Sequence, residues 1–460
     1  MASKPTETAE VAPLLGGGDK VQPLVVLCFL INATMGLGFL SFPYAYMKSG
    51  IFLGAVGTGL VGIVATLCAL YVVVAMANFK ALAKSQGSEE GSIEINDLSG
   101  EKVELARLIY STFGPAAHLA YTACLSVSLI GTMWSYSATI ASSLSTMLPL
   151  WTPQNGWMTC DIVTDESDAC TTLYREWLFL STLMLLPMCI VDLKHQAQFQ
   201  IVMTGARFVL IAAIMGDCLR LALSGQMVDQ GTLPEARPVG IPRCLAVAFF
   251  AMSMQTVVPE AMHDLVDKPK NANRVVVWAL GLCMVVYLVI GITVASVFGT
   301  GVYPVATLTW HNLGNPEPSA FQLFFRTLLV TLPVLDLTAA FPLCSVCLGD
   351  NMRTFVAAED PEHLKVFFRV LAACLPACGA FFLWDVSQTL ASTGVLVYFV
   401  CVAAPQVVAY ASIQKCLERW GTECYKSPFW GWHCNPNVIL ASMGAGAVLF
   451  LAALPGVFKV

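Results

Sequence analysis

Asn32-Ala33-Thr34-Met35-Gly36-Leu37-Gly38-Phe39-Leu40-Ser41-Phe42-Pro43 places a Gly-x-Gly and several polar groups in the middle of an apolar segment long enough to span a membrane. A plain spanning helix has no use for such an interruption. Backbone that leaves the helix at bilayer depth exposes carbonyls and amides, which is tolerated only where they line a cavity or meet a ligand. The segment therefore predicts a broken helix with a functional centre at its break.

The rest of the chain supplies the membrane context. Hydrophobic residues make up 57%, charged residues 12%, and the mean hydropathy is +0.71, against a charged fraction of about 25% in soluble domains. Windows of about 20 apolar residues mark eleven spans, and the expected fold class is an all-α polytopic membrane protein. With a cytosolic N-terminus, sixteen Lys and Arg fall on the cytosolic side and seven on the far side, with Arg207 left inside the fifth span. The positive-inside rule favours that orientation. The net charge of -6 carries no nucleic-acid footprint. Most of the 17 cysteines lie within spans as small hydrophobes. Cys160 and Cys170 share one outward loop and are read as a disulfide, against the alternative of two free thiols.

A second interruption falls in the sixth span, where Phe249-Phe250-Ala251-Met252-Ser253-Met254-Gln255-Thr256-Val257-Val258-Pro259-Glu260 carries polar residues that a lipid-facing helix would lack. Broken spans five apart are the pattern of two inverted five-span repeats whose unwound segments meet near the midplane. The chain accordingly divides into a cytosolic N-terminal tail over residues 1–23, a first five-helix repeat over 24–224, a second over 241–413, and an eleventh helix over 436–460. At a half-helix N-terminus the Gly36-Leu37-Gly38 amides suit a carboxylate. Freed carbonyls near Asn32 and around Ser253 suit an ammonium group, so an amino acid zwitterion fits both ends.

At these two segments the chain resembles the amino acid/auxin permease family. The likeness rests on Asn32, Gly36-x-Gly38, Pro43-Tyr44-Ala45 and Gly50 in the first span, and on Ala248-Phe249-Phe250 through Val258-Pro259-Glu260 to Asp267-Lys268-Pro269 in the sixth, with Phe298-Gly299 ending the seventh. It implies a LeuT-type 5+5 fold with broken first and sixth helices plus one extra C-terminal helix. The implied activity is transport of amino acids with protons or sodium by alternating access. Substrate would contact Thr34, Met35, Gly36, Leu37, Gly38, Phe249, Ser253, Met254 and Gln255. In the family the Asn32 position shares an ion site with a hydroxyl of the eighth span, for which Thr338 is the matching residue here; each also has a structural reading, Asn32 as an interhelical bond and Thr338 as a partner of its own backbone.

Asp336 departs from the apolar residue usual in the family at that point. An acid within a span costs about 2.5–3.5 kcal/mol on insertion scales and is a functional candidate by default. It would carry a coupling proton or select a cationic substrate; the alternative is a structural ion pair with Arg207, Arg220 or Arg326. Asp217 and Arg220, three apart, are expected to pair with each other.

No metal-ligand spacing, phosphate loop or nucleophile-base set appears, so no catalysis and no cofactor beyond a transported sodium ion or proton is expected. In the tail, Glu10, Leu14 and Leu15 resemble an acidic dileucine sorting signal. They point to a sorting adaptor as partner and to a lysosomal or endosomal membrane, with the plasma membrane as the other destination. The rival to transport is an amino acid sensor of the same fold that signals to a cytosolic partner with little flux.

Overall fold

Apolar runs with few charges close their backbone hydrogen bonds within each segment, and the result here is a helical bundle with, among the described residues, one small hairpin. The computed structural model describes residues 21–85, 98, 103–152, 156–165, 167–190, 197–224, 236–263, 265–310, 320–354, 362–424 and 428–458. Among the described residues nine helices are long and apolar enough to cross a membrane: Ile51–Ala83, Pro115–Met147, Asp168–Ile190, Val202–Leu223, Lys268–Gly301, Leu323–Arg353, Leu364–Phe382, Val386–Gly421 and Pro436–Val457. The first span makes a tenth, as two helices, Pro23–Thr34 and Gly38–Ser49, bent by 50°. The sixth of the eleven marked segments is not a full-length helix. It consists of Ile241–Ala251 and Val258–His263 separated by non-helical backbone, so neither piece alone passes as a span.

The two broken spans are fastened to each other along their length. The Val266 amide donates to the Val21 carbonyl at 3.1 Å, and at the other end the Arg237 amide donates to the Ser49 carbonyl at 2.7 Å. Midway, a Cβ built on Gly38 would lie 2.5 Å from the Ala251 Cβ. Only a residue without a side chain allows that approach. Gly50, at φ 82°, then turns the chain directly into the second span.

The hairpin pairs Leu150–Thr152 with Gly156–Met158, and a disulfide joins Cys160 to Cys170 as the sequence predicted. A short helix, Ala306–Trp310, is wholly buried and packs against Gly38–Ser49. Its Trp310 Nε1 donates to Asp217 at 2.8 Å, and the same carboxylate holds Arg220 at 2.7 Å. In the tenth span the turn Tyr398–Ala403 is a π-helix. It carries the Tyr398 ring, which meets Phe249 edge-on with centroids 5.6 Å apart and stacks on Phe450 of the last span at 4.3 Å. Such π-turns occur frequently at functional sites.

Candidate functional site

A helix that ends inside a bundle leaves its last carbonyls without intrahelical donors. The first break leaves the carbonyls of Asn32 and Thr34; the Ile31 carbonyl is satisfied by the Met35 amide at 2.8 Å. Arg207 of the fifth span donates through Nη1 to the Asn32 carbonyl at 3.0 Å. The Tyr287 hydroxyl of the seventh span lies 3.0 Å from the Thr34 carbonyl and 3.0 Å from the Ala251 carbonyl. One phenol thus stands between both breaks, its single proton shared by the two carbonyls or directed to one of them.

The second break is served from within. Ser253 Oγ donates to the Phe250 carbonyl at 2.7 Å, and Gln255 Nε2 donates to the Met252 carbonyl at 3.3 Å and to Ala65 of the second span at 2.9 Å. Gln255 is fully buried, and its Oε1 has no hydrogen-bond partner among the described residues, nor has Ser41 Oγ. A buried acceptor without a partner costs about 1–3 kcal/mol. Both atoms are acceptors suited to an ammonium group or to water.

Asp336 sits in the eighth span between Pro333 and Pro342, and of the three arginines open to it on the sequence it takes Arg207. The pair is a two-pronged fork, Nε to Oδ2 at 3.1 Å and Nη2 to Oδ1 at 2.5 Å, with the arginine side chain 2% exposed. Planar guanidinium suits this geometry, and charge-assisted bonds of this type are strong. Removing one member of such a buried pair costs roughly 3–5 kcal/mol. Asp336 thus stands in the ion pair that was the alternative to a proton-carrying role, and Arg207 links it to the carbonyl of Asn32. Thr338 turns its hydroxyl onto the Leu335 carbonyl of its own helix at 2.7 Å.

Of the other expected contact residues, Met35, Leu37, Phe249 and Met254 are buried, and Thr34 Oγ1 is bonded to the Leu30 carbonyl at 2.7 Å. Gly36 faces the third span, where its Cβ would stand 2.6 Å from the Tyr136 hydroxyl. The helix that starts at Gly38 has no side-chain cap at its N-terminus. Its first amides and dipole are thus aimed at the break, as an anion requires. Glu10, Leu14 and Leu15 lie outside the described residues. Tyr136 and Tyr287 are not among the residues that the sequence marks for the site. Both are tyrosines within apolar spans, the one available signal being a phenol at membrane depth that must find a partner.

The two halves of the first span differ in surroundings. In Gly38–Ser49 all residues but Tyr44 and Lys48 are buried, whereas Pro23–Thr34 leaves Leu24 63% and Phe29 41% exposed. In the third span Tyr121, Thr122, Ser126, Ser128, Met133, Ser135 to Ser143, Ser145 and Thr146 are buried, while Leu119 and Val127 are exposed.

These features define a polytopic bundle organised around two facing helix breaks. A family model described as transmembrane amino acid transporter protein matches residues 20–410, and the chain belongs to that family. It is 21% identical to transmembrane protein 104 of Mus musculus over 445 residues, covering 86% of each chain. The same identity and coverage hold for transmembrane protein 104 of Homo sapiens. The transmembrane protein 104 homolog of Drosophila melanogaster is 21% identical over 494 residues, 91% of this chain and 95% of that one.

Proposed function

We propose that the chain is a secondary active carrier of amino acids, working by alternating access in a LeuT-type arrangement and driven by a proton or sodium gradient. The observation that carries this reading is the meeting of the two breaks at Gly38 and Ala251 under one tyrosine, Tyr287. The uncapped amides of Gly38–Ser49 supply donors for the substrate carboxylate, and the Gln255 Oε1 and Ser41 Oγ acceptors supply the ammonium end. Family membership supports the substrate class.

In this reading the N-terminus is cytosolic, the side that carries the excess of Lys and Arg. Glu10, Leu14 and Leu15 are, on this reading, the signal by which a sorting adaptor directs the protein to a lysosomal or endosomal membrane. Leu14→Ala with Leu15→Ala should move a tagged protein to the cell surface; an unchanged distribution removes the signal from this tail.

The decisive assay is uptake into proteoliposomes with a panel of amino acids, with and without a pH or sodium gradient. Gradient-driven accumulation of any of them supports the carrier. Saturable binding with no uptake replaces it with the sensor.

A further inference from the structure

We propose that Arg207 is a resident cation standing where the first and eighth spans would otherwise coordinate a coupling metal ion, so that this carrier operates without sodium. The inference deepens the transport reading and rests on it for its meaning, but its test below does not need transport to succeed.

Three observations carry it. The acceptors gathered at this point are those a monovalent cation would use: a carboxylate, Asp336, and a backbone carbonyl, Asn32, freed by the first break. Both are already taken by one guanidinium, with Nε and Nη2 on the carboxylate and Nη1 on the carbonyl. The guanidinium also faces the C-terminal end of Pro23–Thr34, the negative end of that half-helix dipole, which favours a positive charge there.

The charge is permanent. Arginine does not deprotonate in proteins, and here its side chain is 2% exposed. A sodium ion entering the same place would meet the positive group at close range in a medium of low dielectric, and would find the carboxylate already neutralised. The link also joins three elements, the first, fifth and eighth spans, as a bound ion would. The difference is that this ion is covalently part of the fifth span. Coupling by binding and release of sodium is thereby exchanged for a fixed charge, and any movement of the fifth span against the first must break the Asn32 bond.

The test is thermal unfolding of the full-length protein in detergent, in sodium chloride and in choline chloride of equal ionic strength. Wild type should melt at the same temperature in both. Arg207→Ala leaves Asp336 buried without its counter-charge and should melt lower in choline, with the melting temperature rising as sodium is added. The double variant Arg207→Ala with Asp336→Asn should lose that sodium response. Should Arg207→Ala fail to fold, Arg207→Gln, which keeps an amide donor for the Asn32 carbonyl, reads the same response.

Sodium stabilisation of wild type that Asp336→Asn abolishes would overturn the proposal, as would Arg207 variants indifferent to sodium. Wild-type uptake in proteoliposomes should be equal in sodium and choline, and sodium-stimulated uptake would overturn it too. Failure of the protein to move any amino acid would instead sink the carrier reading and leave the thermal result standing.

Discussion

The hydroxyl of Tyr136 occupies the space into which a side chain at Gly36 would grow: a Cβ there would lie 2.6 Å from the oxygen and 3.7 Å from Cζ, the next nearest atom. The first distance is a clash and the second an ordinary contact. Gly36→Ala should therefore abolish uptake or nearly so, because overpacking of about 1–3 kcal/mol falls on the break itself. Adding Tyr136→Phe removes the oxygen and should restore most of the uptake lost. Proteoliposome uptake of the two single variants and the pair decides it; a pair no better than Gly36→Ala alone would mean that the glycine is needed for something other than room.

Gly38 stands against backbone, so its case differs. Its Cβ would meet the Ala251 Cβ at 2.5 Å and the Ala251 Cα at 2.9 Å. Gly38→Ala should abolish uptake, and Ala251→Gly should fail to rescue it because the Cα remains too close. Full recovery in the double variant would show that the two breaks separate more easily than their packing implies.

Tyr287→Phe tests the closure of the breaks. Its hydroxyl serves the Thr34 and Ala251 carbonyls, each at 3.0 Å, while its ring stacks on Phe42 with centroids 4.8 Å apart. The substitution keeps the ring and leaves a buried carbonyl unsatisfied, for a loss of about 1–3 kcal/mol. Lower melting temperature together with slower uptake is expected; an unchanged melting temperature would show that water replaces the phenol at no cost.

The positions of the breaks were legible in the sequence because they depend on local chemistry: Gly36 and Gly38 in one apolar run, Ser253 and Gln255 in the other. Asp336 was legible as an anomaly, since an acid at membrane depth demands a partner. Its partner was not, because Arg207, Arg220 and Arg326 are equal as charges and only the packing of the fifth span against the eighth selects Arg207, 129 residues away. The roles of Tyr136 and Tyr287 depend in the same way on which helix faces which break. For the sixth span the polar residues disclosed the interruption, but not that the piece after it is as short as Val258–His263.

A last prediction concerns His433, which lies outside the spans in the turn Trp432–Cys434 between the tenth and eleventh. The residue is 4% exposed and its Nε2 has no hydrogen-bond partner among the described residues. Burial disfavours the charged imidazolium and lowers its pKa from the ordinary 6.5. In the unfolded chain the same group titrates normally, so the stability that the neutral side chain contributes is complete above 6.5 and is lost as pH falls through the lowered folded value. His433→Gln cannot titrate. Its melting temperature should fall less than that of wild type between about pH 7 and about pH 5, when both are followed in the same detergent. Parallel curves for the two proteins would mean that the imidazole reaches water when it is charged, and that the turn does not sense acid.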